Sequence, residues 1–190
     1  MMLTITLVLL AVIVVFIIST YNRFIILIEA VNNAERSIDV QLDRRFKVFE
    51  SLIGVIKKSM DYEKTTLKDV VALRSRSLQA QKEGDSSGRM LAEEGISAVA
   101  TQLNVMFEQY PDLKANQQAM QLQEEVVNTE NKLSFAKQAL NDSIELYEVK
   151  KKSFFERMVV TMFSSLNKNF SYWKVDADKS VKLEEYRVDL

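Results

Sequence analysis

The chain has 190 residues, with 25 lysines and arginines against 26 aspartates and glutamates, so its formal charge is −1. It lacks the surplus of cations that nucleic-acid binding requires. Four glycines and one proline supply too few turns for a β-rich or α/β protein, and the absence of His and Cys excludes disulfides, Cys/His zinc sites and a histidine general base. Composition therefore predicts an all-helical protein that is not an enzyme, without cofactor, metal or nucleic-acid partner.

The first 22 residues are the predicted membrane anchor. Residues 1–18 carry two threonines as their only polar side chains, and no charged side chain precedes Arg23. As a helix the run 1–22 is roughly 33 Å long, which is enough to cross an apolar bilayer core of roughly 30 Å. A cleaved signal peptide and a buried core helix are the alternatives, but a basic start and a small-residue cleavage site are both missing. Arg23 and Arg36 after the span favour a cytoplasmic body.

Four amphipathic helices are predicted beyond the anchor, over 21–58, 62–83, 89–109 and 114–152. Their apolar residues recur at steps of three, four or seven. The first stripe contains Ile38, Leu42, Phe46, Phe49, Ile53, Ile56, Met60, Leu67 and Val71. The second contains Ile96, Val99, Ala100, Leu103, Met106, Phe107 and Tyr110, and the third contains Leu122, Val126, Leu133, Ala136, Leu140, Ile144 and Tyr147.

The breaks between these helices follow from local signals. Asp61 is a good N-cap, residues 82–88 form a loop, and Pro111 ends the third helix. Two long and two short helices with short loops predict an antiparallel up-and-down four-helix bundle. A long hairpin, in which 21–83 stays continuous, is the alternative. The predicted domains are an anchor (1–22), a bundle (23–153), an amphipathic aromatic segment (154–174) and a flexible tail (175–190).

Two sequence blocks resemble a known family. The first comprises Tyr21-Asn22, Ser37-Ile38-Asp39-Val40-Gln41-Leu42-Asp43-Arg44-Arg45 and Tyr62-Glu63-Lys64-Thr65-Thr66-Leu67. The second comprises Glu108-Gln109-Tyr110-Pro111-Asp112-Leu113-Lys114-Ala115-Asn116, Leu122-Gln123-Glu124-Glu125 and Thr129-Glu130-Asn131-Lys132. Their order over roughly 21–150 resembles the bacterial LemA family, while Glu50-Ser51-Leu52 replaces its Pro-Asn-Leu and the C-terminal third diverges. The resemblance implies a single-pass protein of the bacterial inner membrane, with a four-helix bundle and no established biochemical activity.

Charged residues on the first long helix suggest two polar sites. Arg44 and Arg45 point about 100° apart, so one of them can be buried and held by Glu63 or Glu130, which would fix the helix register; two surface arginines are the alternative. Glu35, Asp39 and Asp43 share one face at four-residue spacing. They are either a site for a hard cation or a basic partner, or a solvated face on which Asp43 pairs with Lys47.

A basic and aromatic segment after residue 149 is the candidate membrane-surface site. Its predicted lipid contacts are Lys150, Lys151, Lys152, Phe154, Phe155 and Trp173. The bundle and the hairpin both return the chain to the membrane near residue 150, where lysines meet anionic headgroups and aromatic rings meet the interface. The alternative is that these residues close the bottom of the bundle core.

These observations favour function by binding. The predicted protein is a membrane-anchored helical scaffold or adaptor that contacts the lipid bilayer, other membrane-associated proteins and further copies of itself. The alternative is a membrane-shaping protein that acts through the anchor and residues 150–173. An enzyme is the least favoured class, because no pair of carboxylates has a sequence reason for a raised pKa.

The uncharged run 1–22 predicts that the protein is integral and uncleaved. Alkaline carbonate should fail to extract it from membranes, and N-terminal sequencing should find residues before Thr20. Of two reporters fused after Leu190, one that works only in the cytoplasm and one that works only outside it, the first should be active and the second inactive. A mature N-terminus beyond Thr20 contradicts the anchor, and a reporter active only outside the cytoplasm contradicts the orientation.

Overall fold

The computed structural model describes residues 1–59, 65–111 and 115–173, and all regular secondary structure in these ranges is helical. The elements are α1 (Met2–Ser59), α2 (Thr65–Glu83), α3 (Ser86–Gln109), α4 (Gln117–Lys152) and α5 (Phe154–Met162), followed by a 3₁₀ turn (Ser164–Leu166). The predicted anchor and the first amphipathic helix are one continuous helix. The all-helical prediction is confirmed.

The turn between α2 and α3 is shorter than the sequence suggests. Gly84 takes a positive φ of 72°, a conformation that L side chains rarely adopt, and it ends α2. The Asp85 carboxylate then accepts a hydrogen bond of 2.9 Å from the Gly88 backbone N–H, so it caps α3. Because Asp85 acts as the cap, α3 begins at Ser86, three residues before the predicted start.

The α3–α4 connection has the predicted breaker and a second cap. Tyr110 is not helical, because the ring of Pro111 disfavours helical backbone in the residue before it. Asn116 precedes α4, and its side-chain oxygen accepts hydrogen bonds from the N–H groups of Gln118 (3.0 Å) and Ala119 (3.2 Å). These contacts set the ends of the two helices.

The chain divides into two compact units. The anchor unit comprises Met1–Ser37 and Lys137–Tyr172, and the bundle unit comprises Ile38–Ala136 together with Trp173. Both α1 and α4 contribute one segment to each unit.

Four helical segments share the core of the bundle unit. Its buried apolar side chains are Phe49, Leu52, Ile53 and Ile56 of α1, Val70 of α2, Ile96, Val99, Ala100, Leu103 and Phe107 of α3, and Ala119 and Val126 of α4. Gly95 permits close packing of α2 on α3, because a Cβ there would lie 2.9 Å from a methyl group of Leu73. The helical bundle predicted from the stripes is confirmed.

Polar contacts across the bundle unit give the helix directions. Asp39 of α1 contacts Gln81 of α2, while Asp43 contacts Arg74, so later positions on α1 meet earlier ones on α2. These two helices are therefore antiparallel. The alternative of one continuous helix over 21–83 is wrong, because residues 39 and 81 could not meet on it.

Among the described residues, the predicted core stripes are wrong at two positions. Tyr110, the last residue of the second stripe, lies beyond the end of α3 and is 40% exposed, and Val71 is exposed at the end of the first stripe. Phe49 is 0% and Leu140 is 5% exposed, as expected. Val71 is 47% exposed, and Val70 is buried in its place. The prediction failed there because α2 is a separate helix, so the phase of the α1 stripe does not continue into it. The side chains of Met60, Leu67 and Met106 lie outside the described residues, as do Asp61, Glu63 and the predicted tail at 175–190.

The anchor unit is built around the apolar N-terminal half of α1. The side chains of residues 1–16 are exposed, and near its N-terminus α1 has an 18-residue stretch that is, by length and composition, apolar enough to cross a membrane. From Thr20 onward α1 buries one face, with Phe24, Ile28 and Val31 packed beside Ile144 and Tyr147 of α4 among the buried residues. The rings of Phe24 and Tyr147 meet edge to face, with centroids 5.9 Å apart.

Truncation of a core residue should destabilise the fold, whereas truncation of an exposed one should not. Phe49→Ala and Leu140→Ala should each cost about 2–5 kcal/mol of unfolding free energy, because each leaves a cavity. Phe135 is 71% and Leu146 is 61% exposed on α4, so Phe135→Ala and Leu146→Ala are matched controls. Unfolding of the detergent-solubilised protein, followed by circular dichroism, measures the difference. Equal midpoints within each pair would contradict the assigned core.

Candidate functional site

Arg45 places a charge inside the apolar core of the bundle unit. Its side chain is among the largest that are fully buried, and it lies on the same face of α1 as Leu42, Phe49 and Leu52. The guanidinium forms an ion pair with Glu93 of α3 and donates hydrogen bonds to Ser97 (2.9 Å) and to Glu130 of α4 (3.2 Å). The buried charge is therefore neutralised by carboxylates from two other helices, as a low-dielectric site requires.

Glu93 is the centre of this network. Its carboxylate is 1% exposed and contacts Arg45 of α1, Arg74 of α2 at 3.4 Å and the hydroxyl of Ser77, which donates a hydrogen bond to it. One acidic side chain of α3 thus joins α1 and α2 through charged and polar contacts. Removal of one partner from such a cluster leaves the others charged and buried, which is costly.

The carboxylates on the outer face of α1 contact arginines of this chain. Asp39 pairs with Arg89 of α3 and accepts bonds of 3.1 Å from Gln81, and Asp43 pairs with Arg74. The expected Asp43–Lys47 pair is therefore replaced by a contact between helices. Among the residues that the structure describes, no three acidic side chains converge as a metal site would require.

Arg44 and Arg45 have different environments, as the 100° step between adjacent helical residues requires. The Arg44 side chain is 42% exposed and pairs with Glu125 of α4. That pairing lowers the pKa of the Glu125 carboxyl, chiefly through the hydrogen bond from Arg44. Of the four predicted register residues, Arg45 and Glu130 meet in the core, Arg44 lies at the surface and Glu63 lies outside the described residues.

Sequence reasoning missed Glu93, Arg74 and Ser77. A usable signal was present, because Glu93 precedes Ile96, Ala100, Leu103 and Phe107 at steps of three and four. A charge in phase with an apolar stripe is expected to be buried and to need a partner. The identity of that partner depends on which helices are neighbours, and the separation of 48 residues between Arg45 and Glu93 gives no local indication.

The second candidate site lies in the anchor unit, where α5 packs on α1. Phe155 meets Phe16 with ring centroids 6.3 Å apart, and Phe163 meets Tyr21 at 5.1 Å. Residue 16 precedes Arg23, the first charged residue, by seven positions, or about 10 Å along a helix. The start of α5 therefore lies level with the apolar part of the predicted anchor.

One side of α5 is apolar and uncovered. Phe155, Met158 and Met162 recur at i, i+3 and i+7, and each is more than 60% exposed, as is Phe154. Val160 is buried on the opposite side, and Val159 is buried at the edge of the stripe. With nine residues α5 is too short to span a bilayer, but its exposed stripe has the pattern of a helix that lies in a membrane interface.

The segment that follows α5 is fastened by a buried tyrosine. The Tyr147 hydroxyl donates a hydrogen bond of 2.7 Å to the Leu166 carbonyl and accepts one of 2.7 Å from the Lys168 N–H. Its ring also meets Phe170 with centroids 5.0 Å apart. Since Tyr147 belongs to α4, these bonds hold residues 166–170 against the end of that helix.

The predicted lipid contacts have different surroundings. Lys150 lies 3.6 Å from Glu156, and the ammonium of Lys151 donates a 2.7 Å hydrogen bond to the Lys168 carbonyl. Lys152 lies 3.8 Å from Glu148 but is 77% exposed, and Phe154 and Phe155 are exposed. Trp173 is 7% exposed and its ring lies 5.4 Å from the Arg89 guanidinium in the bundle unit, which leaves little of the indole for lipid.

Comparison with known proteins gives one family. The model of the LemA family matches residues 34–184, which is most of the chain. The matched range includes the polar network around Glu93 and the helix α5. The resemblance drawn from the sequence blocks is confirmed. No curated protein shows significant similarity to the chain.

Loss of the central carboxylate should destabilise the bundle strongly. Glu93→Gln should cost about 3–5 kcal/mol, because Arg45 and Arg74 lose the charge that compensates their burial. Glu125→Gln is the matched control at the surface, and its effect at neutral pH should be small. Thermal unfolding of the two variants in the same detergent gives the comparison, and equal losses would contradict the central role of Glu93.

The control has its own pH dependence. The pKa of Glu125 is lowered on folding, so its ionised form stabilises the protein above the ordinary carboxyl pKa. That contribution is lost as the pH falls through the lowered pKa. The small difference between wild type and Glu125→Gln should therefore disappear on acidification, and a difference that grows towards acid pH would contradict the assignment.

Proposed function

We propose that this chain, which belongs to the LemA family, is a membrane-anchored helical scaffold or adaptor that acts by binding other proteins. In this proposal it is not an enzyme and uses no cofactor, and the bulk of the chain lies on the cytoplasmic side of a bacterial inner membrane. The observation that supports this proposal most directly is that α1 is continuous. It runs as one helix from the apolar segment into the core of the bundle unit.

The continuous helix supports a mechanical role. A flexible linker between an anchor and a body would contain Gly, Ser or Pro, whereas residues 21–50 of α1 contain neither Gly nor Pro. The ion network centred on Glu93 then links α1, α2, α3 and α4. A body held together in this way presents a constant set of surfaces, which suits a protein that positions partners.

Exposed apolar side chains on the bundle unit are candidate partner contacts. Phe135 of α4 is 71%, Leu91 of α3 is 68% and Val40 of α1 is 62% exposed. Aromatic side chains are favoured anchors in protein interfaces. Phe135 is therefore the first position to probe, both for a second copy of the chain and for other membrane-associated proteins.

Crosslinking in membranes tests the scaffold proposal. A photo-crosslinking residue in place of Phe135 should give covalent adducts, either at twice the mass of the chain or with another protein. Ser75, an exposed polar position on α2, is the matched control and should give few adducts. An absence of adducts at Phe135, or equal amounts at the two positions, would contradict a binding surface there.

A second candidate function is contact with the lipid surface through α5, and membrane shaping would be its consequence. The exposed stripe of Phe155, Met158 and Met162, together with the Phe155–Phe16 contact, favours it. Interfacial helices bury their apolar face about 5–10 Å below the headgroup boundary. The distance of about 10 Å along α1 between Phe16 and Arg23 matches the upper limit of that range.

Quenching by labelled lipid tests this second candidate. The chain lacks cysteine, so Phe155→Cys and Phe135→Cys each provide one site for a fluorescent label. In liposomes that contain nitroxide phospholipids, the label at 155 should be quenched strongly and the label at 135, on the bundle unit, should not be. Equal quenching at the two positions would contradict an interfacial α5.

A further inference from the structure

The anchor unit contains a cleft that neither proposed function uses. It encloses about 330 Å³ and is lined by Glu148, Lys151, Lys152, Arg157, Val160, Thr161 and Asn167. The cleft lies between the last turn of α4, one side of α5 and the start of the segment held by Tyr147. Three of its side chains are cations and one is a carboxylate, so its formal charge is +2.

The cations of the cleft are not equally engaged. The Lys151 ammonium donates a hydrogen bond of 2.7 Å to the Lys168 carbonyl and lies 3.7 Å from the Glu148 carboxylate. It also lies over the ring of Tyr147. Lys152 is 77% exposed, with Glu148 at 3.8 Å. Arg157 forms no ion pair with any residue in the described parts of the chain, and it is exposed. Since Lys151 and Lys152 share the single carboxylate of Glu148, the net positive charge of the cleft is carried chiefly by Arg157 and the exposed Lys152.

The position of the cleft along α1 indicates what kind of group could compensate this positive charge. Arg157 lies on α5 between Phe155, which meets Phe16, and Phe163, which meets Tyr21. It is thus level with residues 16–21 of α1, below the first charge of the anchor at Arg23. Cations at that depth in a membrane are costly unless they pair with an anionic group. The nearest anionic groups are the phosphates of the phospholipid headgroups, which the long side chains of Lys and Arg can reach by extending towards the interface.

We propose that this cleft binds the headgroup of an anionic phospholipid, with Lys152 and Arg157 as the residues that contact its phosphate. Arg157 can present a guanidinium fork to two phosphate oxygens, and Lys152 adds a point charge. The side chains of Asn167 and Thr161 line the same space and supply polar groups for the rest of the headgroup. The exposed stripe of α5 would lie against the acyl chains. The inference rests on the lipid-contact function proposed above.

Native mass spectrometry of the full-length protein tests the site. The detergent-solubilised chain is mixed with equal amounts of phosphatidylglycerol and phosphatidylcholine that carry the same acyl chains, and the bound lipids are counted. Wild type should retain phosphatidylglycerol in preference by roughly tenfold, and Lys152→Gln/Arg157→Gln should lose that preference. Lys68→Gln/Lys82→Gln removes the same charge from exposed positions of the bundle unit and should keep it.

Every other outcome overturns the inference. These outcomes are no preference in wild type, a preference that survives Lys152→Gln/Arg157→Gln, and an equal loss in both double variants, which would indicate general charge attraction. Inorganic phosphate in millimolar excess should not displace the lipid; if it does, the site binds free phosphate instead. Quenching at residue 155 without a preference for phosphatidylglycerol refutes the cleft alone, whereas absent quenching refutes the interfacial position of α5.

Discussion

The ion pair between Arg45 and Glu93 is the contact on which the arrangement of the bundle unit depends. Both side chains are buried, and each carries a full charge in a region otherwise filled by Phe49, Leu52 and Ile96. Apolar side chains tolerate small shifts of one helix along another, because dispersion has little directionality. A buried guanidinium does not, since it needs carboxylates within hydrogen-bond distance. We therefore expect this pair to hold the register of α1 against α3, and the contact of Arg45 with Glu130 to extend the constraint to α4.

Much of this fold could be predicted from the sequence, because helical spacing of apolar residues is a local property. The burial of Phe49 and Leu140 follows from their stripes, and the end of α3 follows from Pro111. Local signals fail at Val71, because the helical phase of the α1 stripe does not continue into α2. They also fail at the start of α3, because Asp85 caps that helix earlier than predicted. The network was predicted only in part. The sequence indicates that either Arg44 or Arg45 can be buried, but it does not say which of them is, or which acidic residue of a distant helix it meets.

The anchor unit shows how a short helix acquires a defined position. α5 has nine residues and little helical stability of its own, so its position must come from packing. Phe16 and Tyr21 contact its two ends through Phe155 and Phe163, and Tyr147 holds the chain beyond it with two hydrogen bonds. The aromatic contacts thus fix the position of α5 along α1. Its exposed apolar stripe is the kind of patch that marks an interaction site, and this is the observation on which the proposed lipid contact rests.

The three consecutive lysines at the end of α4 illustrate why a charge cluster in a sequence is ambiguous. Cations there interact favourably with the carbonyl end of the helix dipole, which would suffice to explain all three. The structure separates them: Lys150 is directed towards Glu156, and Lys151 is engaged by a backbone carbonyl and an aromatic ring. Lys152 keeps most of its surface exposed beside Arg157, which has no counter-charge in the described chain. Contacts within the anchor unit therefore account for the positions of Lys150 and Lys151, whereas Lys152 and Arg157 line the cleft for which an anionic ligand is proposed above.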